Sequence, residues 1–189
     1  MSTKTPFELR ERAFEAAYFQ KKDEALVDGL RAVFHKKINK QEIRETTGVT
    51  DEELLDRLVD MELNGEMMTA FKLIPIIEVA WAEGKPDAKT VRAVLEAGET
   101  QGIRPGSKGR EMLERRLTSE PSADIRKIWL MYANALKQTL TPAHLAEFRG
   151  DLLALCRRVA EASGGILGMV LTTSAREQRI MDEVKKALT

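Results

Sequence analysis

The sequence predicts an all-α protein, and two observations support that prediction. Apolar residues recur with the period of amphipathic helices along almost the whole chain, whereas the alternation typical of strands is nearly absent. The composition agrees, because apolar residues make up 43% and charged residues 32% of the 189 residues, with only 5% aromatic. A chain of this length can form one helical domain with a sizeable core and a helical extension.

The first 44 residues are predicted to form an N-terminal helical arm, followed by a helical domain over residues 45–189. Pro6 suits the first turn of a helix, and helical periodicity continues with dense charge and a narrow apolar stripe. We expect Gly29 to interrupt this pattern and a further short helix to end at Gly48. Because a narrow stripe buries little apolar surface, we expect the arm to bind a protein partner or to self-associate.

Three helices are expected between residues 50 and 102. In "TDEE", Thr50 and Glu53 have the spacing of a capping box that begins the first helix. The second, "MMTAFKLIPIIEVAWAEG", is apolar on every side and should be the central buried helix, with Pro75 kinking it or lying in its first turn. Asp87 is the expected N-cap of the third helix.

Amphipathic helices are also expected in the C-terminal half of the chain. Thr141 and Pro142 predict an N-cap followed by proline at the first helical position, and this helix should run to about Ala162. The last helix is expected from about Ala175 to Leu188. Before these, one helix has an apolar face with helical spacing, formed by Ile125, Ile128, Trp129, Tyr132 and Leu136.

Two segments of the chain are similar, "EVAWAEG" at 78–84 and "RVAEASG" at 158–164. Each precedes a helix with a polar N-cap, Asp87 in the first copy and Ser174 in the second, where Glu177 completes a capping box. We therefore predict two pseudo-repeated helix pairs, each consisting of a buried helix, a glycine turn and a capped helix. One helix pair cannot bury its apolar face alone, so the two should pack together.

The similarity also makes Glu78 equivalent to Arg158. Glu78 lies in the most apolar helix of the chain, where a lone buried carboxylate is costly. We expect Glu78 either to pair with Arg158 or Arg157 across the two helices, or to reach the surface at the edge of its helix.

The segments "LIPIIEVAWAEGKPDAKTVRAVLEAGETQGI" and "VAEASGGILG", the latter followed by "TTSAREQRIMDEV", resemble the two copies of the TerB-like family, which is associated with tellurite resistance. The resemblance covers about residues 45–188 and implies a multi-helix TerB-like bundle. It also implies an interaction or stress-associated module rather than an enzyme. In that family an apolar helix ends in Ala-Asp-Gly, and the Asp-Gly loops are implicated in divalent metal binding.

This chain departs from the family pattern, since Glu83 and Ser163 replace the two loop aspartates. Calcium prefers six to eight oxygen ligands, and Glu83, Asp87 and Glu177 could supply some of them if the loops at Gly84 and Gly164 converge. A divalent-metal-binding protein is therefore the alternative function. The competing interpretation is turn and capping chemistry at these positions, and we favour it.

Charge and composition narrow the remaining classes of function. Lys plus Arg and Asp plus Glu both number 30, so no net charge attracts nucleic acid. The N-terminus lacks the apolar region of a signal peptide, no stretch is long enough to span a membrane, and Cys156 is the only cysteine. These features predict a cytoplasmic protein without an integral membrane segment.

No catalytic residue or cofactor is predicted. His35 and His144 have no carboxylate or cysteine partner at a recognised spacing, and Cys156 lies on an apolar stripe, as a small core residue would. "GGILG" lacks the strand and the lysine–serine ending of a P-loop. The apolar residues 166–171 that follow are expected either to fold back over the two helix pairs or to form an exposed sticky patch.

Overall fold

The computed structural model of the chain is all-α, as predicted. It describes residues 6–163 and 173–189, with side chains from residue 21 onward except residue 23, and within these ranges it contains no strand. The repeat relation between the helix pairs stays a prediction. The helices are α1 (Pro6–Thr47), α2 (Glu52–Asp60), α3 (Met68–Lys72), α4 (Ile74–Ala80), α5 (Ala88–Thr100), α6 (Lys108–Thr118), α7 (Ala123–Thr139), α8 (Pro142–Ser163) and α9 (Ala175–Ala187).

The chain divides into an N-terminal unit, Met1–Asn39, and a C-terminal unit, Lys40–Thr189. α1 runs without a break through Gly29, so the predicted interruption there is wrong. A single helical glycine costs only about 1 kcal/mol relative to alanine, which a helix of this length tolerates. α1 ends where Gly48 takes a left-handed conformation, at φ 72°.

α4 lies in the core of the C-terminal unit, where it packs against α8 and α9, and α8 also packs against α5. The expected single central helix is instead two helices, α3 and α4, which meet at Leu73. Pro75 explains the break, because it has no N–H to donate to the carbonyl of Phe71 one turn earlier. Pro75 lies in the first turn of α4, which was one of the two predicted positions.

α7 buries the apolar face predicted for it, including Trp129 and Tyr132. The Trp129 indole Nε1–H donates to the Lys72 carbonyl at 3.3 Å. Phe71 and Tyr132 are both 0% exposed and pack edge to face, with ring centroids 5.7 Å apart and an interplanar angle of 74°. These contacts join α3 to α7 at the centre of the C-terminal unit.

Polar side chains cap the helices of the C-terminal unit. Asp87 caps α5 and Ser174 caps α9, as predicted. The predicted cap at Thr50 is wrong by one residue, because Asp51 accepts the backbone N–H of Leu54 at 2.9 Å and begins α2. Each cap satisfies a backbone donor that the first helical turn would otherwise leave unpaired.

Candidate functional site

Of the three predicted metal ligands, Asp87 and Glu177 accept local hydrogen bonds. The third, Glu83, is exposed beyond the end of α4. Asp87 accepts hydrogen bonds through Oδ1 from both the backbone N–H and the hydroxyl of Thr90, each at 2.8 Å. These bonds favour the ionised carboxylate and lower the pKa of Asp87.

Glu177 is the one buried carboxylate among the predicted ligands, at 2% exposed. Its Oε2 accepts the backbone N–H of Ser174 at 2.7 Å, which completes the predicted capping box. Its Oε1 accepts the hydroxyl of Ser163 at 2.5 Å. Both carboxylate oxygens are therefore engaged in joining the end of α8 to the start of α9.

Within residues 6–163 and 173–189, no group of three or more His, Cys, Asp or Glu side chains is arranged to hold a metal. Gly84 makes a left-handed turn at φ 102°. Gly164 and residues 166–171 lie outside the described residues. The contacts seen at Asp87 and Glu177 are those of helix capping, and nothing in the described residues supports the metal-binding alternative.

Glu78 does take part in an ion pair, but its partner is Arg126 of α7. Nε and Nη2 of Arg126 donate to the two Glu78 oxygens, each at 2.9 Å, and Nη1 lies 3.0 Å from Glu183 of α9. The predicted pairing with Arg157 or Arg158 is wrong, since among the described residues Glu78 pairs with Arg126. Arg157 and Arg158 are exposed on α8, whereas Arg126 lies beside the carboxylate from the first turn of α7.

The Glu78–Arg126 pair lies beside a pocket of about 360 Å³ in the C-terminal unit. The Glu78 side chain is 12% exposed and that of Arg126 34%, and hydrogen bonding to Glu78 raises the pKa of Arg126. The pocket is formed by α4, α9 and the start of α7. Its lining consists of Glu78, Trp81, Ala82, Glu120, Pro121, Ser122, Ala123, Arg126, Arg176, Arg179 and Ile180.

The arginines of this pocket were missed at the level of sequence. In the sequence, Arg176 and Arg179 have the spacing of surface charges on an amphipathic helix, and Arg126 belongs to no recognisable motif. The one available signal was that Glu78, in an apolar helix, needs a cationic partner. Sequence similarity then selected the wrong helix as the source of that partner.

A second feature lies in the N-terminal unit, where α1 exposes large apolar side chains. Six such residues are between 40% and 67% exposed, and they fall within an arc of about 140° around the helix axis. We call this set the exposed apolar face. It consists of Leu26, Val27, Leu30, Val33, Phe34 and Ile38.

The residues considered for catalysis show no catalytic arrangement in the described structure. Cys156 is 0% exposed in the core, as predicted, and its burial and the charge of Glu78 raise its pKa to about 12. His35 and His144 are exposed. A protonated, enclosed thiol is a poor nucleophile.

Comparison of this chain with family models, curated proteins and solved structures finds no match. The TerB-like assignment therefore depends only on the sequence motifs that suggested it. Among the described helices, none combines the length and apolar character needed to cross a membrane.

Proposed function

We propose that this protein is a non-enzymatic helical interaction module whose N-terminal arm binds a second copy of the chain through the exposed apolar face. The observation that supports the proposal is the contrast in exposure along the chain. Six of the seven large apolar side chains that are exposed among the described residues belong to this one face. A contiguous exposed apolar patch is typical of a protein-binding surface.

The exposed apolar face is compatible with pairing of two copies in antiparallel orientation. In an antiparallel pair of α1 helices centred on Leu30, Leu26 of one copy lies level with Phe34 of the other. A seam formed by apolar side chains of both copies is the usual basis of helix pairing.

Sedimentation velocity of the full chain over a range of concentrations tests this function. We expect the mass to rise from 21.2 kDa toward twice that value as the concentration increases. Leu30→Glu places a charge in the seam and should leave a monomer at every concentration. Ala32→Glu is the matched control, because Ala32 lies on the opposite side of α1 and the same charge there should preserve association.

A chain that stays monomeric at every concentration would overturn self-association. Equal loss of association in Leu30→Glu and Ala32→Glu would overturn the assignment to the apolar face. The association of the module with tellurite resistance or stress is suggested by the TerB-like resemblance alone.

A further inference from the structure

Two arginines of α9 line the pocket without a carboxylate partner among the described residues. Arg176 and Arg179 are three positions apart, so they lie on the same side of the helix, where like charges repel. Glu183 is spaced to pair with Arg179, four residues earlier, yet it lies 3.0 Å from Arg126 instead. The arrangement leaves two guanidinium groups uncompensated on one wall of a concave surface.

The remaining charges of the pocket do not cancel this pair. Glu78 already binds Arg126 through both of its oxygens. Glu120 is the other lining carboxylate, and it has no ion pair with a described residue. The part of the lining that is not already engaged therefore carries two positive charges against one negative charge.

The first turn of α7 adds a hydrogen-bond donor to the pocket lining. Ser122 caps the backbone N–H of Ile125 at 3.4 Å. No described group accepts the backbone N–H of Ala123, which lines the pocket. An N–H of the first helical turn and the positive end of the helix dipole both favour an anion.

Apolar side chains also line the pocket. The indole of Trp81 is half-buried and held by its Nε1–H, which donates to the Arg116 carbonyl at 3.3 Å. Ile180 is half-buried beside the two free arginines. A volume of about 360 Å³ lies in the range of small-molecule sites.

We propose that this pocket binds a small organic anion, with its carboxylate or phosphate group on Arg176 and Arg179 and an apolar or aromatic body against Trp81. Guanidinium groups bind both oxyanions in the same bidentate manner. The free pocket carries unbalanced positive charge, which the ligand neutralises. This activity is separate from the self-association proposed above, because it uses the C-terminal unit alone.

Titration of the full chain with phenyl phosphate, benzoate and inorganic phosphate, followed by ¹⁵N NMR, tests the site. We expect saturable shifts of the Trp81 indole and the arginine Nε signals with phenyl phosphate or benzoate. The variant Arg176→Gln/Arg179→Gln should bind at least about tenfold more weakly. Arg157→Gln/Arg158→Gln is the matched control, because it removes two exposed arginines outside the pocket and should leave the affinity unchanged.

A third variant is expected to bind the probes more tightly, which is an effect that misfolding would not produce. Glu120→Gln removes the remaining unengaged carboxylate and should tighten binding of each probe by about twofold or more. Absence of saturable shifts up to about 10 mM of each aromatic probe would overturn the proposal. Equal weakening in the two double-arginine variants would overturn it as well, and inorganic phosphate binding as tightly as phenyl phosphate would exclude the role of Trp81.

Discussion

The N-terminal and C-terminal units differ in how far their large apolar side chains are buried. In the C-terminal unit, Leu130 is the one large apolar residue that is exposed among those described, at 40%, while the N-terminal unit exposes six. Composition does not distinguish them, since both are helical and densely charged. The difference is that helices of the C-terminal unit bury their faces against one another, whereas the apolar face of α1 is exposed.

The largest expected difference between the units is in thiol reactivity. Cys156 is enclosed and its pKa is raised to about 12, so iodoacetamide at pH 8 should modify it only through unfolding. Val33→Cys places a second thiol on the exposed apolar face, where Val33 is 67% exposed. At a concentration where the chain is a monomer, the new thiol should react at least about a thousandfold faster. Mass spectrometry of timed samples measures both rates, and comparable rates would contradict the contrast.

A pair of phenylalanine truncations compares the packing of the two units. Phe71→Ala removes a 0% exposed ring in contact with Tyr132 and should lower the free energy of unfolding by about 3–5 kcal/mol. Phe34→Ala, at a 63% exposed position, should change it by less than about 0.5 kcal/mol at a concentration where the chain is a monomer. Urea unfolding followed by tryptophan fluorescence measures both. A large loss from Phe34→Ala would mean that the face is already packed within the chain.

Removing an ion pair should destabilise the C-terminal unit more than the N-terminal unit. Glu78→Gln removes the bidentate carboxylate from half-buried Arg126 and leaves it only the contact with Glu183, so it should cost about 1–3 kcal/mol. Asp28→Asn removes an exposed pair with Arg31, whose side chains are 71% and 74% exposed, and should cost less than about 0.5 kcal/mol. Thermal unfolding of both variants measures the two losses of stability. Equal losses would contradict the expected ranking.

The smallest effect is a dependence of stability on acid pH in the C-terminal unit. The pKa of Asp87 is lowered from its ordinary 3.8 by the hydrogen bonds from Thr90. Its charged cap therefore stabilises the fold fully above that ordinary value, and the contribution is lost as the pH falls through the lowered pKa. Asp87→Asn should flatten this part of the stability curve between about pH 5 and pH 2. The measurement is the free energy of unfolding of both proteins as a function of pH. Parallel curves for Asp87→Asn and the unaltered protein would contradict this role of Asp87.

Features set by neighbouring residues were predictable from the sequence. The caps at Asp87 and Ser174 and the helix end at Gly48 depend on contacts within a few residues, which spacing reveals. The first-turn position of Pro75 was one of two alternatives that the sequence left open. The error at Thr50 has the same origin, because Asp51 offers equivalent capping chemistry one residue later. The apolar face of α7 followed from helical periodicity alone.

Features that join distant helices were not predictable in this way. Glu78 and Arg126 come from α4 and α7, and Arg176 and Arg179 reach the same pocket from α9. Their proximity depends on how the helices pack, which leaves no local pattern in a single sequence. The need of Glu78 for a cation was visible from its apolar surroundings, but the identity of that cation was not.

Glu177 has a practical consequence for engineering the chain. Its carboxylate accepts the hydroxyl of Ser163 at the end of α8 and the backbone N–H of Ser174 at the start of α9. A label attached to Ser163 or Glu177 would therefore remove a contact between two helices. Lys185 of α9 is exposed, and a label attached there leaves both contacts of Glu177 in place.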